Sequence, residues 1–134
     1  MKLQRFLDAQ EPVYGQVLAE LRAGAKRSHW MWFIFPQIAG LGRSPTAQVY
    51  AIASLDEARA YAAHPVLGVR LRQCTELVLA QQGLAIGGIF GFPDDLKFHS
   101  SMTLFARATG EALFRQALEQ FFGGEEDQAT LARI

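Results

Sequence analysis

The sequence predicts an all-α fold, a compact single-domain bundle of several short and medium helices occupying residues 1–134. Three observations carry this. Alanine (20) and leucine (16) dominate the composition while strand-favouring residues are sparse outside one aromatic segment. Apolar residues recur at i, i+3 and i+4, and the breaks between such stretches carry cap and proline signals. Half of the 134 residues are apolar, enough for one core and too few residues for two.

Leu3, Phe6 and Leu7 form a first apolar stripe, and after Glu11-Pro12 a second runs through Val13, Val17, Leu18 and Leu21 to a stop at Gly24. Ser44-Pro45 and the capping box Ser54-Leu55-Asp56-Glu57 open two short helices. His64-Pro65 starts a longer one, with Val66, Leu67, Val69, Leu71, Leu77 and Val78, which ends at Gln81-Gln82-Gly83. Residues 83–93 hold four glycines and a proline around Ile86, Ile89, Phe90 and Phe92, the composition of an apolar connection with one helical turn. A helix from Asp94 or Asp95 through Phe105, another over Gly110 to Phe122, and a terminal turn after Glu126-Asp127 complete the chain. The run Trp30 to Phe35 fits a buried strand or a buried helix. A lone strand would leave its backbone unpaired, so a short buried helix ending at Pro36 is expected, with Ser28 as its cap.

The 13 basic and 13 acidic residues cancel. The excess of +3 in residues 1–50 is offset by −1 in 51–100 and −2 in 101–134, which excludes a dedicated nucleic-acid binder. No apolar run reaches the roughly 18 residues of a membrane span. One cysteine, Cys74, permits no internal disulfide and reads as a core residue, and Met1 to Arg5 lack the apolar stretch of a signal peptide, so a cytoplasmic location is expected. Neither a dinucleotide fingerprint nor a phosphate loop is present, so no cofactor is expected. The histidines and the cysteine lack paired metal-ligand spacing, and no metal is assigned, with Asp94, Asp95 and His99 the residues available to one.

Two polar clusters flank apolar segments. Lys26, Arg27, Ser28 and His29 precede Trp30 and Trp32, and amides after a Ser28 cap would form an anion-binding geometry beside the two cations. Gln37, Arg43 and Ser44 around Gly40-Leu41-Gly42 extend the same region. The second cluster is Asp94, Asp95, Lys97, His99, Ser100 and Ser101. At helical spacing Asp95 and His99 are neighbours, as are Lys97 and Ser101, so a carboxylate could orient an imidazole for general acid–base work. Asp94 is expected to serve as the helix cap, which leaves Asp95 with His99 as the catalytic pair.

The blocks Arg27-Ser28-His29-Trp30-Met31-Trp32-Phe33-Ile34-Phe35-Pro36-Gln37, His64-Pro65-Val66-Leu67-Gly68-Val69-Arg70-Leu71, Phe90-Gly91-Phe92-Pro93-Asp94-Asp95-Leu96-Lys97 and Ser100-Ser101-Met102-Thr103-Leu104-Phe105 resemble the bacterial domain-of-unknown-function family 1810, sometimes mislabelled calpastatin, over nearly the whole chain. The resemblance implies a compact helical domain and brings no catalytic roles. A weaker similarity, by analogy of size and helicity, is to helical N-glycosidases of riboflavin intermediates or ADP-ribose derivatives, which would need Asp94 or Asp95 near the ribosyl carbon and Trp30 or Trp32 as a base platform.

The leading expectation is a pocket for a small anionic or nucleotide-like ligand, with residues 26–29 on one wall and 94–101 on another. The alternative is an interaction module without an active site, in which Ile86 to Phe92 and the exposed face of the last helix dock a partner or a second copy; a homo-oligomer belongs to this reading.

Overall fold

The computed structural model describes residues 2–134. Among them are ten helices: α1 (Gln4–Gln10), α2 (Tyr14–Ala23), α3 (Met31–Ile34), α4 (Pro45–Val49), α5 (Leu55–Ala63), α6 (Leu67–Leu79), α7 (Ile86–Phe90), α8 (Asp94–Thr109), α9 (Ala112–Phe122) and α10 (Gln128–Leu131). No sheet is present among the described residues, and the all-α expectation holds. The nearest approach to a strand is a single parallel bridge between Ile38 and Ile52, in which the Ala39 amide donates to Ile52 O and the Ile52 amide to Gln37 O, both at 2.8 Å.

Helix α8 is the axis of the molecule. It packs on α5 and α9 along its length and on α7 and α10 at its sides, and nine of its sixteen residues are buried. One core results, into which α1, α2, α3 and α6 send Phe6, Leu21, Ile34 and Leu71. Aromatic rings make its centre. Phe98 meets Phe35 edge-on at 5.0 Å between centroids and stacks on Phe90 at 5.1 Å, and Tyr61 bridges Phe6 and Phe105. Such pairings contribute about 0.5–1.5 kcal/mol each beyond burial.

Local signals behave as the sequence suggests at several ends. Ser44 Oγ accepts from the Ala47 amide and Ser54 Oγ from the Glu57 amide, each at 3.1 Å. Glu57 returns a carboxylate oxygen to the Ala53 amide at 3.0 Å and pairs with Arg5. Gly24 closes α2 in the left-handed region at φ +70°, which a glycine adopts without the Cβ penalty.

Two ends differ. The aromatic run is a short helix as expected, but its cap position falls on Trp30 and no side chain caps it. Helix α8 starts after Pro93, and Asp94 is its first residue and caps nothing with its side chain. The connection over residues 83–93 contains the single helical turn α7, with Ile89 and Phe90 buried against α8.

Candidate functional site

The loop after α2 carries Lys26 to His29 and is shaped by a residue the sequence reading passed over. Glu20, buried on α2, accepts from the Arg27 amide at 2.7 Å, the Ser28 amide at 3.0 Å, the Ser28 hydroxyl at 2.5 Å, the Gln16 side chain at 2.8 Å and the Trp30 indole at 3.0 Å. The amides expected to receive a ligand's anion therefore hold the chain's own carboxylate, and Ser28 serves Glu20 and caps no helix. Burial pushes the Glu20 carboxyl up, but the donors around it outweigh burial and hold it at about 2.

The same loop delivers Lys26 inward. Its amide donates to Ile89 O at 2.8 Å, its side chain is only 7% exposed, and its Nζ lies 2.8 Å from Asp94 Oδ2. Lys97, one turn along α8, brings its Nζ to 3.3 Å from Asp94 Oδ1. Each ammonium also lies over an indole, Lys26 at 5.1 Å from the Trp30 ring and Lys97 at 5.0 Å from the Trp32 ring. Two cations thus share one carboxylate between two tryptophans. The two expected walls meet here, through Lys26 and Trp30 from one and Asp94 and Lys97 from the other. Arg27, His29 and Arg43 are exposed.

The expected catalytic pair does not form. His99 stacks on Phe122 with centroids 4.0 Å apart and its Nε2 is 2.7 Å from Glu125 O, while Asp95 Oδ1 accepts from the Leu96 amide at 2.9 Å. The i, i+4 spacing is present, but the imidazole is drawn toward α9 and the segment after it. Among the described residues no three His, Cys, Asp or Glu side chains gather as a metal site, so Asp94, Asp95 and His99 form no ligand set. Ser100 also has a structural duty: its hydroxyl lies 2.9 Å from Asp127 Oδ2, the carboxylate that caps α10 through the Thr130 amide. Ser101 is fully buried, and its hydroxyl has no hydrogen-bond partner among the described residues.

Beyond Trp32 lies a small recess lined by Trp32, Gln37, Ile38, Gly42, Ala47, Tyr50 and Ala51, with room for about one water molecule. Of the outer residues the sequence singled out, Gln37 lines it and Arg43 stays outside in solvent.

A family described as "Protein of unknown function (DUF1810)" matches residues 1–134. The chain belongs to this family. The crystal structure of the conserved hypothetical protein Rv1873 from Mycobacterium tuberculosis is similar to this DUF1810 chain at 58% identity and a TM-score of 0.96, covering 97% of this chain and 94% of that one. No curated protein matches it.

Two further groups in this DUF1810 chain are sealed. Cys74 lies in the core beneath Tyr14, and burial pushes its thiol up to about 12, far from the thiolate a nucleophile needs. Ile89 and Phe90, expected on a docking face, are inside, so of Ile86 to Phe92 the apolar side chains left outward are Phe92, 81% exposed, and the half-buried Ile86; Leu96 on α8 is exposed nearby in the chain. The outward residues of α9 are Ala112, Arg115, Gln116, Glu119 and Gln120, a mainly polar face. Among the described residues no helix is long and apolar enough to cross a membrane.

Proposed function

We propose that the chain binds a small anionic ligand at Lys26 and Lys97. The observation that supports this most is the sharing of Asp94 by both ammonium groups, which sets two positive charges against one negative. The two indoles lower the local dielectric and keep the amines oriented, so an incoming phosphate or carboxylate would gain more there than at a solvated lysine. Charge-assisted hydrogen bonds to such an anion are about twice as strong as neutral ones. The reading is one of binding: Asp95 and His99 have separate partners, and turnover is not required by it.

Calorimetric titration with inorganic phosphate tests it. Phosphate should bind the wild type, and Lys97→Ala should weaken binding about tenfold or more while the fold persists by circular dichroism. Equal affinity in both proteins would overturn the assignment. Exposure of Phe92 and Leu96 supports a second reading, self-association through that corner. Light scattering of Phe92→Glu checks it, and a wild type that stays monomeric at high concentration would dismiss it.

A further inference from the structure

We infer that the recess beside Trp32 receives the edge of a planar nitrogen heterocycle, so that the ligand class of the lysine cluster is nucleotide-like. The phosphate half of this inference rests on the reading above; the heterocycle half rests on separate residues.

The recess offers the groups a base edge needs. Its lining includes two aromatic residues, Trp32 and Tyr50, and Gln37, whose carboxamide has both a donor and an acceptor. Among the described residues neither the Gln37 side-chain carboxamide nor the Tyr50 hydroxyl has a protein hydrogen-bond partner, both residues being part-exposed, although the backbone oxygen of Gln37 is engaged by Ile52. Side-chain polar groups lining a concavity and left without protein partners are free to pair with a bound molecule. The size of the recess sets what enters it: a space for about one water admits an exocyclic oxygen or amino group, with the ring to which it is attached lying on the rim against the aromatic walls.

The walls are held before any ligand arrives. Tyr50 packs on Phe33 at 5.4 Å and on Phe6 at 5.9 Å between centroids, which fixes its ring. The bridge between Ile38 and Ile52 fixes the strand-like segment that carries Gln37. The link to the anion cluster is a single side chain, because Trp32 lines the recess and has the Lys97 ammonium over its ring. A molecule with a heterocycle at one end and a phosphate at the other spans one indole.

The test titrates the protein with ribose 5-phosphate, nucleoside 5′-monophosphates and the corresponding nucleosides. At least one monophosphate should bind about tenfold or more tightly than ribose 5-phosphate. Gln37→Leu should remove that advantage and leave ribose 5-phosphate unchanged, with Tyr50→Phe as a second, milder variant. If ribose 5-phosphate matches every monophosphate, or if neither variant alters base preference, the inference is overturned while the anion reading stands. Nucleosides that bind as well as their monophosphates would keep the recess and overturn the anion reading. Binding of none of these compounds overturns both.

Discussion

The indole Nε1 of Trp30 donates to Glu20 Oε1 at 3.0 Å, and that same oxygen accepts the Arg27 and Ser28 amides. One carboxylate oxygen thus fixes the loop that carries Lys26. Glu20→Ala leaves two amides, a hydroxyl and the buried indole N–H without their acceptor, so unfolding free energy should fall by about 2 kcal/mol or more. Denaturant unfolding followed by tryptophan fluorescence measures this.

Acidification should act on the same residue. The folded Glu20 carboxyl is held at about 2 against an ordinary 4.5, a depressed value, so its contribution is complete above the unfolded value and is lost as pH falls from about 5 toward 2. Glu20→Gln should show a flatter stability profile across that window. An unchanged slope in the variant would place the acid sensitivity elsewhere.

Asp94→Asn has two opposed consequences. It removes the carboxylate that Lys26 and Lys97 share, so the nearly buried Lys26 loses its partner and the protein should be destabilised by about 1–3 kcal/mol. It also raises the charge of the cluster, so phosphate should bind more tightly than to the wild type. Paired thermal denaturation and calorimetry read both.

His64 caps α6 through its ring. Its Nδ1 accepts from the Val66 amide at 3.1 Å and the Leu67 amide at 3.2 Å. His64→Ala should cost about 0.5–2 kcal/mol, and His64→Asn, which keeps a short acceptor, should recover most of it by thermal melting.

At Gly68 the backbone of α6 approaches that of α5 closely. A Cβ built there would sit 2.1 Å from the backbone oxygen of Ala62 and 2.8 Å from the Arg72 guanidinium. Since a carbonyl on a packed helix end cannot give way as a side chain can, Gly68→Ala should lower stability by about 3 kcal/mol or more. A melting temperature within a degree of wild type would mean that the two helices separate freely.

The sequence was informative wherever structure is decided within a few residues. Ser44, Ser54 and Gly24 are local signals, and each ends or begins a helix where its chemistry says. Within the aromatic run Met31 to Ile34 are helical, as expected where a lone strand has nothing to pair with. The site was half legible: Lys26, Trp30, Trp32, Asp94 and Lys97 were all singled out, but their grouping on one carboxylate is a contact between residues 26 and 94 that no spacing rule contains. Asp94 looked like a cap because helix starts favour carboxylates, and a cation from α2's loop claimed it instead. Glu20 went unnoticed because its surroundings in the sequence, an amphipathic helix, make it look like a solvated charge. His99 and Asp95 had the right spacing, yet Phe122 and Glu125 compete for the ring from another element.

An internal carboxylate standing in for a ligand changes how recognition would proceed. Because Glu20 orders residues 25–30 during folding, the conformational entropy of that loop is already lost when a solute meets Lys26. Encounter then needs no segment to fold. Association should be governed by diffusion and by the field of exposed cations such as Arg27.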